Sequence, residues 1–113
     1  MRVGIYAYGP TSIQLTGTAK LLTLKPETKE RSSVELTAGP HPLPRGIHLI
    51  LPQVGCAVSA GGGCDLVVLD GDKDDWPDPK GQIAAFDTAF SSVDYKTLGE
   101  FFTIAKGLKA VTG

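Results

Sequence analysis

Alternation of hydrophobic and polar positions dominates the first two-thirds of the chain, the period-2 signature of half-buried strands. Val3 to Tyr8 is short and β-rich, and Gly9-Pro10 stops it. From Thr11 to Thr16, Ile13 and Leu15 fall on one face and Ser12, Gln14 and Thr16 on the other. Gly17-Thr18 suits a two-residue turn with glycine where φ must be positive. A hairpin is therefore expected, with Leu15 opposite Lys20, Ile13 opposite Leu22 and Thr11 opposite Leu24. That register gathers Ile13, Leu15, Leu22 and Leu24 on one face.

A polar stretch, Lys25 to Arg31, carries five charges around Pro26 and reads as an exposed loop. Ser33 to Thr37 reads as a short strand with Val34 and Leu36 inward. Pro40, Pro42 and Pro44 then put three prolines in five positions. Prolines donate nothing to a ladder, so this segment is an extended connector or a sheet edge. Ile47 to Leu51 is nearly all apolar, as a strand covered on both faces would be. A second hairpin is expected around Gly61-Gly62-Gly63, pairing Ala60 with Cys64, Val58 with Leu66 and Cys56 with Val68. All six are apolar and share one face, with the cysteines too far apart to bond.

From Asp70 to Gly81 the composition turns acidic, and residues 83–93 fit neither a strand nor a loop decisively. A helix is predicted over about 94–111, capped by Asp94 or Ser92, with Leu98, Phe101, Phe102, Ala105 and Leu108 on one side. The pattern as a whole predicts a mainly β fold. It is a small antiparallel β-sandwich or partly open barrel with one C-terminal α-helix packed on a sheet, in a single domain over 1–113.

Composition narrows the function. With 113 residues, 42% hydrophobic and 20% charged, the chain can bury a core and is not a disordered tail. A net charge of −1 gives no global basic field for nucleic acid or an acidic membrane. No apolar run approaches the roughly 18 residues of a membrane span. The N-terminal residues lack the apolar stretch and cleavage site of a secretory signal, so a cytoplasmic or virion location is expected. Residues 1–50 hold six basic and three acidic side chains, and residues 51–113 hold five basic and nine acidic. Opposite halves of this kind can associate head to tail, although a merely mixed surface has the same totals.

The acidic loop is the most conspicuous candidate for chemistry. Asp70, Asp72, Asp74 and Asp78 stand at positions 1, 3, 5 and 9 of a calcium loop. The match fails at the sixth position, Asp75 where glycine is wanted, and at the twelfth, Gly81 where a bidentate glutamate belongs. Calcium is thus one reading, beside a solvated loop or a partner-binding loop. Trp76, flanked by Pro77 and Pro79, suits a stiff interface anchor or a ring that folds back and plugs one end of the sheet. His41 and His48 belong to no metal-spaced cluster. A Cys–His dyad with Cys56 or Cys64 conflicts with the apolar face that carries both thiols.

The glycine triplet lacks the helix, lysine and serine of a phosphate loop. On the C-terminal helix, Gly99, Thr103 and Gly107 form a stripe of small residues that lets another backbone approach, either the protein's own sheet or a neighbouring subunit. Together these features favour a non-enzymatic structural or interaction protein. It would act as a homo-oligomer or a component of a larger assembly, a virus- or phage-type component being one analogy. Trp76, Pro77, Pro79, Pro42, Pro44, Gly99, Thr103 and Gly107 would make its contacts with protein, itself or an assembly neighbour. The alternative is a small binding or inhibitor module that recognises a ligand or protein through the acidic Trp-containing loop, with or without calcium.

Overall fold

The computed structural model describes residues 2–25, 30–69 and 76–112, with side chains as far as Ala105. The chain is mainly β and divides into two compact units, 1–70 and 71–113. The strands lie in the first unit: β1 (Val3–Ala7), β2 (Thr11–Leu15), β3 (Ala19–Leu24), β4 (Arg31–Leu36), β5 (Gly39–Leu43), β6 (Gly46–Pro52), β7 (Val58–Ala60) and β8 (Cys64–Val68). They build a five-stranded sheet in the order β4-β3-β6-β1-β8 and a three-stranded sheet in the order β5-β2-β7. All pairings are antiparallel. The sheets stay separate, so the result is a sandwich rather than a closed barrel.

Alternation builds the core between them. Val3, Ile5, Ile13, Leu15, Leu43 and Ile50, drawn from both sheets, are each at most 2% exposed. Burial of such a side chain stabilises by about 1.5–3 kcal/mol. β6 is buried on both faces along most of its length, as its apolar run predicts.

The connections differ from the expected ones. Among the described strands, only β3 and β4 are consecutive strands of one sheet; the other connections between them cross from sheet to sheet. Neither predicted hairpin forms. β2 pairs with β5 and β7, while β3 pairs with β4 and β6. Likewise β7 pairs with β2, and β8 pairs with β1. Inward-facing alternate residues satisfy a sandwich equally well when the turn carries the chain across to the opposite sheet.

In β3 the inward set is Ala19, Leu21 and Thr23 rather than Leu22 and Leu24. Leu22 is half-buried, and Leu24 is buried on the other face beside its register partner Ile47. The cysteine hairpin fails in its pairing but not in its facing. Cys56 sits in the core, and Val58, Ala60, Cys64, Leu66 and Val68 pack against it.

The β1–β2 crossing is flanked on one side by β5–β6 and on the other by β7–β8, so β5-β2-β7 runs over β6-β1-β8. Backbone bonds from the Tyr8 N–H to the Gly63 carbonyl (3.1 Å) and from the Gly61 N–H to the Ser12 carbonyl (2.9 Å) join neighbouring crossings. The Thr11 hydroxyl adds a bond to the Gly62 carbonyl (2.8 Å). Gly63, at φ +81°, takes the left-handed conformation that this turn needs and other residues resist. β3 and β4 have no strand across from them in the smaller sheet. For that reason Val34, expected inward, is 49% exposed, and only Leu36 at the strand's end reaches the core.

The second unit contains α1 (Pro79–Ser91) and α2 (Tyr95–Thr112). The stretch left open by its pattern is therefore helical. Asp78 caps α1, accepting from the Gly81 N–H at 3.2 Å, while Gln82 Oε1 accepts from the Asp78 N–H at 3.0 Å. Pro79 occupies the first turn, where its missing donor costs nothing. The helices join through a tight reversal in which the Asp94 N–H bonds the Ala89 carbonyl (2.8 Å) and the Val93 N–H bonds that of Phe90 (3.4 Å). Val93 is left-handed at φ 57°, a place normally given to glycine. Asp94 then caps α2, accepting from the Thr97 N–H (3.2 Å) and the Thr97 hydroxyl (2.7 Å). Phe86 and Phe90 on α1 and Phe101 and Phe102 on α2 bury an aromatic cluster.

Candidate functional site

The residue types that most often carry chemistry are engaged structurally. His48, on β6, is fully buried between Ile5 of β1 and Thr23 of β3. Its Nδ1 lies 2.9 Å from the Thr23 hydroxyl and its Nε2 lies 2.9 Å from the Pro44 carbonyl. A carbonyl only accepts, so Nε2 carries the proton and Nδ1 accepts from Thr23. Desolvation lowers the His48 pKa below its usual 6.5, opposed by the bond to Pro44, and the ring is neutral. Both nitrogens are taken, so His48 is not the base of a cysteine dyad. Both thiols are free and contact nearby carbonyls instead: Cys56 that of Ala57 (3.7 Å) and Cys64 that of Gly61 (3.4 Å). His41 Nε2 lies 2.6 Å from the Thr37 carbonyl.

The expected contact and metal residues are dispersed. Asp70, Asp72 and Asp74 lie outside the described residues. Asp78 is the helix cap. Among the described residues, no group of three or more His, Cys, Asp or Glu side chains converges on a metal position. Trp76 is buried, its ring edge-on to Phe101 at 5.8 Å, which makes it part of the helical unit's core rather than an exposed anchor. Pro77 is exposed and Pro79 half-buried. Gly99 is half-buried and Thr103 is exposed, its hydroxyl bonding the Gly99 carbonyl at 3.0 Å. Gly107 lies on α2 beyond the described side chains. A shallow groove of about 410 Å³ along α1 is lined mostly by small residues such as Gly81, Ala84 and Ala85, and its Ser92 and Asp94 side chains are engaged at the helix ends.

The sheet edges are the more informative surface, and ladder parity orients them. In an antiparallel pair, successive residues point their N–H and C=O alternately toward and away from the partner strand. The Gly61 N–H bond to Ser12 and the Thr16 N–H bond to Ala57 aim the even residues of β2 at β7. The odd ones, Thr11, Ile13 and Leu15, therefore aim at β5, opposite Leu43, His41 and Gly39. On β5 the outward positions are Pro40 and Pro42, followed in the same phase by Pro44. Pro42 and Pro44, expected to make contacts, are exposed, but every outward position of this edge lacks an N–H.

β4 is the converse. The Lys25 N–H bonds the Glu30 carbonyl (3.1 Å), so the even residues of the strand face β3. Arg31, Ser33 and Glu35 aim their backbone groups outward, and the first five residues of the strand are exposed. No proline interrupts it. β7 has only three residues, and β8 is half-buried throughout. β4 is thus the long, open edge among the described strands. Sequence reasoning missed Arg31 and Glu35, which it assigned to a loop and to an unremarked strand position.

No protein-family model, curated protein or solved structure matches the chain.

Proposed function

We propose that this is a non-enzymatic structural or interaction protein that associates with copies of itself, as a homo-oligomer or as the repeated component of an assembly. The carrying observation is the contrast between its edges. β5 is closed at each outward position by proline, whereas β4 offers three outward N–H groups and a row of exposed side chains. An exposed strand with unpaired backbone groups is a template for another strand. Light scattering behind a sizing column, over a concentration series, tests the proposal. A mass rising above 11.9 kDa with concentration is the expected result. A monomer at every concentration overturns it.

A further inference from the structure

We infer that β4 pairs with β4 of a second copy, antiparallel about a two-fold axis through Ser33. The inference rests on the self-association proposed above and names its contact. A two-fold axis perpendicular to the sheet keeps each face of one copy continuous with the same face of the other, so residues of like phase pair. The outward positions Arg31, Ser33 and Glu35 then meet one another.

With the axis at Ser33, Arg31 lies opposite Glu35 of the second copy, Ser33 opposite Ser33, and Glu35 opposite Arg31. All three outward positions are used, and each such pair exchanges two N–H···O bonds, about six in total. A slide of two residues in either direction carries Arg31 or Glu35 past the strand's end and loses both charge pairs. In the chosen register two opposite-charge pairs form by symmetry, the arrangement that favours cross-strand neighbours. Lys20 of β3 lies opposite Glu35 within its own copy. Glu35 thus sits between two cations. Ser32 and the exposed Val34 meet across the other face of the junction.

The edge is self-complementary in a way that charge swaps can dissect. R31E places acid against Glu35 at both ends of the junction, and E35R places base against Arg31. Each variant alone should dissociate at least ten-fold more readily than the wild type in concentration-dependent light scattering. An equimolar mixture of the two should recover wild-type association, because each acidic pair of R31E then faces a basic pair of E35R. Recovery also shows that both variants are folded, and thermal melts of each alone check this independently. A second variant, Ser33→Pro, removes an outward donor at the axis and should weaken association by a similar factor. A wild-type monomer at every concentration overturns this pairing together with the self-association proposal. An oligomer indifferent to R31E, E35R and Ser33→Pro overturns the pairing alone. Loss in both charge variants without recovery on mixing overturns the Arg31–Glu35 register.

Discussion

β5 and β4 are both edge strands of one sandwich and resolve the same hazard in opposite ways. On β5, prolines stand at positions 40, 42 and 44, in phase with the outward side of the ladder. The donors that remain, on Gly39, His41 and Leu43, all serve β2. On β4 the outward phase holds Arg31, Ser33 and Glu35, with every backbone donor intact. The smaller sheet ends at β5 over β6, leaving β3 and β4 to extend beyond it. The contrast shows that an edge is open or closed according to which residue types occupy its outward phase.

The largest expected effect breaks this phase rule on β4. Val34→Pro deletes a donor aimed at β3 and should cost about 1–3 kcal/mol of stability. Ser33→Pro, one residue earlier, deletes a donor aimed outward and should change stability by no more than about 0.5 kcal/mol. Urea melts of the two proteins, run at a concentration where both are monomeric, provide the comparison. Equal losses would mean that the outward phase has been assigned to the wrong residues.

Next in size is the reverse operation on β5. Pro40→Ser with Pro42→Ser restores two outward N–H groups. Each substitution also frees the unfolded chain and should lower stability by about 0.4–1 kcal/mol. Association beyond that of the wild type is expected at equal concentration, read by light scattering. An unchanged mass would show that something other than proline closes this edge.

Much of the sandwich could be read from the sequence, because alternation reports which side chains face inward. Ile13, Leu15, Val58, Leu66 and Val68 face the core as expected. Alternation does not report which strand lies alongside, so Gly17-Thr18 and Gly61 to Gly63 looked like hairpin turns although both cross between sheets. The exposure of Val34 was equally unreadable, since it depends on whether a strand of the other sheet stands opposite.

The α1 helix was missed for a different reason. Asp78-Pro79 with Gln82 is a helix-start signal, and Phe86, Ala89 and Phe90 follow at helical spacing, but Asp78 also stands at the ninth position of a calcium-loop spacing, which competes with the cap reading. The candidate site was the least accessible part. Arg31 and Glu35 become complementary only when the β3 ladder fixes their phase. For Trp76 the sequence allowed a buried ring as well as an exposed anchor, but its partner Phe101 on α2 follows only from the folded helices.

The smallest effect concerns what holds the two edges to the sandwich. His48 joins Thr23 of β3, the strand that carries β4, to the Pro44 carbonyl at the end of the proline edge. Burial lowers its pKa, so the unfolded chain binds a proton near pH 6.5 while the folded one stays neutral. The stability due to the neutral ring is therefore fully present above pH 6.5 and is lost as pH falls toward the lower folded value. One proton limits the slope to about 1.4 kcal/mol per pH unit. Melts between pH 7 and pH 5, above most carboxylate titrations, should show this decline in the wild type. His48→Gln, which retains a donor and an acceptor without a titrating ring, should be less stable at pH 7 yet nearly flat over that range. The same slope in both proteins would place the acid sensitivity elsewhere and leave the edges tied by packing rather than by this ring.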